Sequence, residues 1–271
     1  MHLKRWITSI VALPFLVLLL YKGGSFLFAV FISVVAIIAL WEYFRIQFDH
    51  KMPVKLKIIP FFGFFTGSFI VWAVYSNYYE VVLGILIFNF IISAFISVFQ
   101  YKHDPFVLEI VIKQIIGILY IPLFLSCLVM IRNVESGVDW IFFLLCIVFA
   151  GDVGAYYTGI SLGRHKLCPA VSPGKTVEGS IGGLAANLLT GSLFKFFFLP
   201  SLPWLESLLF FVLIGVAGQA GDLFESELKR TAKVKDSGGI LPGHGGILDR
   251  IDALLFAAPL AYFFKEYILG P

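Results

Sequence analysis

Runs of about twenty apolar residues, the length of helix that crosses the hydrocarbon core of a bilayer, recur along this chain almost without interruption. They fall near 6–21, 25–46, 58–76, 80–99, 112–131, 139–160, 178–199, 205–222 and 251–269. Of the residues, 59% are hydrophobic, only 14% are charged, and thirty are phenylalanine. So little polar surface cannot clothe a soluble core, and the solvent for most of the chain must be lipid. The expected fold is all-α: a polytopic integral membrane protein of about nine transmembrane helices, forming a single membrane domain over 1–271. Residues 1–100 carry few polar side chains and read as a helical scaffold, whereas 101–271 carry the chemistry. Lys4 and Arg5 precede the first run, and no small-residue cleavage pattern follows it. That run reads as a retained anchor.

Lysine and arginine prefer the cytoplasmic side of a membrane. With the N-terminus cytoplasmic, the tail and the loops near 47–57, 100–111, 161–177 and 223–250 share that side and hold sixteen of the twenty cations. The opposite side keeps Lys22, Arg132, Lys195 and Lys265. The asymmetry supports an odd number of spans. A formal net charge of +3 is too small to suggest nucleic acid. Cys127, Cys146 and Cys168 lie far apart, without disulfide or metal-ligand spacing.

Asp152 and Asp222 sit near the inner ends of their spans, each in an Ala-Gly-Asp triplet. A carboxylate at membrane depth is costly and usually faces a cavity and a partner. Asp222, Ser226 and Arg230 follow at helical spacing on one face. Glycine pairs at 238–239 and 245–246, with Pro242-Gly243 between them, break regular structure and let backbone N–H groups approach an anion. Asp249 and Asp252 come next, at the start of the last span, where carboxylates also serve as helix caps. Carboxylates and cations on one aqueous face suit Mg²⁺ and phosphate oxygens. The physics gives metal-assisted chemistry on a phosphate compound at a membrane surface, without naming the compound.

The string Ser226-x-Leu228-Lys229-Arg230-x4-Lys235-Asp236-x-Gly238-x2-Leu241-Pro242-x-His244-Gly245-Gly246-x2-Asp249-Arg250-x-Asp252 resembles the signature of the phosphatidate cytidylyltransferases. Upstream, Gly151-Asp152-x2-Ala155-Tyr156, Gly163-Arg164-x-Lys166-Leu167 and Ser172-Pro173-x-Lys175-Thr176-x-Glu178-Gly179 resemble the same family. The resemblance implies a reaction in which CTP and phosphatidic acid give CDP-diacylglycerol and pyrophosphate, with Mg²⁺, in phospholipid biosynthesis.

It also implies roles, carried over residue by residue. Asp222 and Asp249 are the expected metal ligands, with Asp252 and Asp152 in reserve. Lys175, Ser172 and Thr176 are expected on the CTP phosphates. Lys229, Arg230, Lys235 and Arg250 are expected on lipid phosphate or pyrophosphate. Tyr156, Lys166, Glu178, Ser226, Asp236, His244 and Gly245 complete the expected substrate site. An interface-belt aromatic is the more frequent case for a tyrosine placed like Tyr156, while Arg164 and Lys166 read also as topology charges and His244 as an orienting or structural group. The family also implies a homodimer, and the lysine and arginine asymmetry puts the expected site on the cytoplasmic side of the inner membrane. Two further readings stand beside it: a CTP-dependent lipid or polyprenol kinase, which releases CDP, and an ion-coupled transporter, whose polar groups belong at the midplane.

Overall fold

The computed structural model describes residues 14–48, 53–240 and 245–269. Helix forms where the apolar runs predict it. A described stretch over 14–22 (α1) is followed by α2 (Gly24–Gln47), α3 (Ile58–Tyr75), α4 (Tyr79–Gln100), α5 (Val107–Ile118) and α6 (Phe124–Asn133). Then come α7 (Gly137–Leu162), β1 (Lys166–Cys168), β2 (Ser172–Thr176), α8 (Val177–Phe198), α9 (Trp204–Thr231) and α10 (Leu248–Phe264). Left-handed backbone at Gly24, Asn77 and Ser136 makes the tight reversals or breaks ahead of α2, α4 and α7. Between α5 and α6 the chain does not break. Pro122, which lacks an N–H to donate, sits in a π turn over Leu119–Leu123, and helix runs on from Val107 to Asn133.

Seven described helices are long and apolar enough to cross a membrane. They coincide with seven of the nine expected spans. The first expected span, 6–21, is described only from residue 14. The last corresponds to α10, which has 17 residues and continues as a π turn through Leu269. The polytopic all-α architecture is thus observed.

The described chain divides into two compact units. One comprises the described residues up to Asn133 together with Asp236–Arg250; the other comprises Val134–Lys235 and the chain from Ile251 onward. Inside the first unit, apolar helices are registered by a few buried polar bonds: Asn89 donates to Thr66 Oγ1 at 2.8 Å, Ser93 to Gln114 Oε1 at 3.0 Å, and Gln114 Nε2 to the Ile59 carbonyl at 2.8 Å. In lipid such bonds fix register where apolar contact alone does not discriminate.

The second unit is held by small residues. A Cβ on Gly183 would come within 2.9 Å of the Gly151 carbonyl, and one on Gly179 within 2.8 Å of the Ala155 carbonyl. Backbone therefore packs directly on backbone between α7 and α8. At the other end of these helices, Phe143 stacks on Phe194 and Phe210, with ring centroids 4.9 and 5.7 Å away.

Two expectations are corrected. The basic segment 161–177 is not simply a loop: Lys166 pairs with Thr176 and Cys168 with Ser172 in an antiparallel hairpin. The polar stretch after Asp222 is not all loop either, since α9 continues to Thr231. Asp222 and Asp152 therefore lie nine and ten residues inside their helices, not at the ends. A 28-residue helix is about 42 Å long against a hydrocarbon core of about 30 Å. That length is enough for the polar face of α9 to extend beyond the apolar layer.

Candidate active site

In the second unit, α7, α8, α9 and the hairpin enclose a cavity of about 440 Å³, a volume typical of small-molecule sites. One wall is apolar, with Ala155, Ile160 and Leu167; the other presents Asp152, Lys175, Thr176, Ser180, Gln219 and Asp222. Lys175 Nζ lies 2.7 Å from Asp222 Oδ2. The ammonium is shielded from solvent, so the pair forms in a setting where charge attraction is stronger than in water.

Sequence positions each part. Thr176 is the N-cap of α8, its Oγ1 accepting from Gly179 N at 3.1 Å. Such a cap is worth about 1 kcal/mol. The run Ser172-Pro173-Gly174-Lys175 leads straight into that cap, so Lys175 stands beside a helix N-terminus, where anions are favoured. Glu178 secures the hairpin. Its carboxylate accepts from Arg164 N at 3.0 Å and His165 N at 3.2 Å, and lies 2.6 Å from His165 Nδ1. Those oxygens are committed to the chain itself, so the structure gives Glu178 a holding role alongside the substrate contact expected of it. Arg230 clasps the other end of the hairpin, donating from Nε to the Val171 carbonyl at 3.1 Å. Tyr156 lines the cavity from an exposed position, and Ser172 also lines it. Lys166 is exposed on β1.

Behind the cavity wall, Gly221 lets α9 approach α10: a Cβ there would sit 2.5 Å from the Asp252 carbonyl. Asp252 lies within electrostatic reach of Asp222, Asp152 and Lys229. Three of the expected carboxylates thus gather in this unit. Lys229 is held at 2.5 Å by Glu225, whose side chain is fully buried, and Ser226 is buried beside it. Lys235 is exposed at the edge of the unit.

The remaining signature residues fold with the first unit. Asp249 accepts from Ser237 N at 3.0 Å and Gly246 N at 2.8 Å. Gly245, at φ +83°, supplies the left-handed turn this requires. Asp236 and Arg250 are exposed, and His244 lies outside the described residues.

Sequence reasoning did not single out four further residues, two lining the cavity and two on α2. Ser180 and Gln219 line the cavity, hydrogen-bonded to each other through their side chains, with Gln219 Nε2 also donating to the Ser180 carbonyl at 3.0 Å. Neutral side chains in a small-residue helix give no signal from sequence. Glu42 and Arg45, on α2, touch the signature turn. Glu42 was legible, being a carboxylate inside an apolar run, the same sign that marked Asp152.

The Lys175–Asp222 pair beside the N-terminus of α8 is an arrangement suited to holding phosphate, within a membrane protein. The chain belongs to the cytidylyltransferase family, whose model matches residues 3–268. It is similar to the phosphatidate cytidylyltransferase of Bacillus subtilis, 35% identical over 269 residues and 96% of each chain. It is also similar to those of Staphylococcus haemolyticus, 34% identical over 94% of this chain and 96% of the relative, and Haemophilus influenzae, 32% identical over 98% and 99%.

Proposed function

We propose that this chain transfers the cytidylyl group of CTP to phosphatidic acid, giving CDP-diacylglycerol and pyrophosphate. The observation that carries the reading is the Lys175–Asp222 ion pair in a cavity at the start of α8, in a chain whose relatives over nearly its full length are phosphatidate cytidylyltransferases.

A non-ester oxygen of the lipid phosphate attacks the α-phosphorus of CTP. The new P–O bond forms as the bond to the oxygen bridging the β-phosphorus breaks, and that electron pair leaves with pyrophosphate. A phosphate monoester, with a second pKa near 6, is already anionic at neutral pH, so no side-chain base is needed. The work of the site is positioning and charge neutralisation. An incoming triphosphate can draw the Lys175 ammonium from Asp222 onto its own oxygens, freeing the carboxylate. Thr176 holds the start of α8 in place while this happens.

Mg²⁺ is part of the proposal, with Asp222 and Asp249 as its ligands and Asp152 and Asp252 in support. Among the described residues no three His, Cys, Asp or Glu side chains form a metal cage. Asp152 and Asp222 nevertheless offer hard oxygens to the cavity, and Mg²⁺ is commonly held by one or two carboxylates plus substrate phosphates. The donor set fits an ion completed by its substrate. Bound there, Mg²⁺ would neutralise charge on the phosphate oxygens.

The distribution of lysine and arginine supports a cytoplasmic N-terminus and a site facing the cytoplasm from the inner membrane. A homodimer is proposed on family resemblance and is checked by mass measurement in detergent.

Purified protein in detergent, given Mg²⁺, CTP and phosphatidic acid, should form CDP-diacylglycerol and pyrophosphate in equal amounts. CDP as the released nucleotide would instead mean γ-phosphate transfer, and no product under conditions where a related enzyme is active would refute the reading. Asp249→Ala should lose turnover yet remain folded; near-normal turnover removes Asp249 as a ligand.

A further inference from the structure

Helix α2 reads as scaffold, yet it carries a carboxylate with no accessible surface. Glu42 is 0% exposed. Its Oε2 accepts from Ser237 Oγ at 3.1 Å and from Leu248 N at 2.9 Å. Leu248 is the first residue of α10, and the residue before it, Ile247, has no side-chain acceptor. Glu42 therefore caps α10 from more than two hundred residues away. One turn along α2, Arg45 donates from Nη2 to the Ser237 carbonyl at 2.6 Å, its guanidinium resting over the Trp41 ring at 5.1 Å.

Ser237 is the shared point. Its hydroxyl is gripped by Glu42, its carbonyl by Arg45, and its N–H by Asp249. Gly238 and Gly246 are glycine for the same reason, because a Cβ at either would collide with the Glu42 carboxylate. A buried charge is expensive unless its surroundings repay it. Both donors to Oε2, Ser237 Oγ and Leu248 N, belong to the segment carrying Asp249, while Oε1 is buried without a hydrogen-bond partner among the described residues.

We infer that Glu42, assisted by Arg45, is a positioning residue: it fixes the turn through Ser237 and the start of α10, and so sets where Asp249 points. This rests on the cytidylyltransferase reading with Asp249 as a Mg²⁺ ligand. Groups that orient a metal ligand from behind typically matter about 10- to 100-fold in metal affinity.

The test uses the full chain in detergent, with two readouts on wild type, Glu42→Ala, Glu42→Gln and Thr66→Val. The last variant removes a buried hydrogen bond of the same unit away from the turn. Glu42→Ala should raise the Mg²⁺ concentration for half-maximal turnover roughly tenfold. It should also accelerate amide exchange of the 236–250 segment by a similar factor, leaving α2 and α3 protected. Glu42→Gln, which retains an acceptor oxygen for Ser237 and Leu248, should recover most of both, and Thr66→Val should shift neither. If Glu42→Ala does not yield folded protein, Ser237→Ala removes only the gripped hydroxyl and carries the same two readouts. The inference is overturned if exchange and Mg²⁺ dependence stay within about twofold of wild type, or if exchange rises equally across α2–α6 and the turn. Absence of CDP-diacylglycerol from wild type would sink the functional reading instead, while the exchange readout would still report on Glu42.

Discussion

Two aspartates of the same expected role are held in opposite ways. Asp249 is fixed by main-chain donors, Ser237 N and Gly246 N, inside a turn that is itself clamped to α2. Asp222 is held by the end of a lysine side chain. Main-chain amides cannot leave without the turn unfolding, whereas a lysine on a four-carbon stem can exchange one anion for another. The first arrangement is a fixed mount and the second is exchangeable. In the proposed reaction a mount of the first kind would cost no reorganisation, and a pair of the second kind would open when substrate brings its own anion.

The largest effect should come from Asp222→Asn. It removes the carboxylate and leaves Lys175 unpaired, so turnover should fall about a thousandfold or more, equivalent to several kcal/mol of lost charge stabilisation. Circular dichroism should remain that of a folded helical protein. Retained turnover would mean that the exchangeable pair is structural, and the contrast with Asp249 would collapse.

Lys175→Met should come next, at roughly a hundredfold loss in kcat/KM, comparable to removing one preorganised donor from a charged transition state. Weakened CTP binding should account for part of it, read as a higher KM for CTP than in wild type. An unchanged KM would sharpen the comparison by placing the cation on the leaving pyrophosphate.

The smallest effect lies where α9 ends. The chain closes with Val234 N on the Lys229 carbonyl and Lys233 N on the Arg230 carbonyl, both 2.9 Å, which puts Lys233 at φ +58°. That conformation suits glycine. Lys233→Gly should therefore stabilise the end of α9 by about 1 kcal/mol, seen as a higher unfolding temperature in detergent. A drop would show that the lysine side chain contributes more than its backbone strain costs.

Much of the site was legible because its chemistry is expensive in lipid. Asp152, Asp222, Lys175 and Thr176 all line one cavity, and each stood out as a polar residue beside an apolar run or within the matched motifs. Glu178 was found from sequence, but its task was not. Its clamp on Arg164 and His165 depends on a hairpin whose strands carry no alternating apolar pattern, so only the fold reveals it. Ser180 and Gln219 gave no signal because their mutual hydrogen bonds, which offset the cost of burying them, join two different helices. The end of α9 was misplaced because hydropathy reports where lipid ends, while the helix runs past that point to Thr231 on intrahelical hydrogen bonds.

By itself, the sequence determined that this chain lives in a membrane, that it is helical, and that its chemistry involves phosphate and clustered charge. Those properties follow from local composition, since each residue's transfer cost is its own. Tertiary structure alone decided that Glu42, in a helix resembling plain scaffold, caps a helix more than two hundred residues away, and that Lys175 finds Asp222. Such pairings depend on which faces meet, and in lipid those faces are selected by close approach at glycines and by a few buried polar bonds that no window along the chain contains.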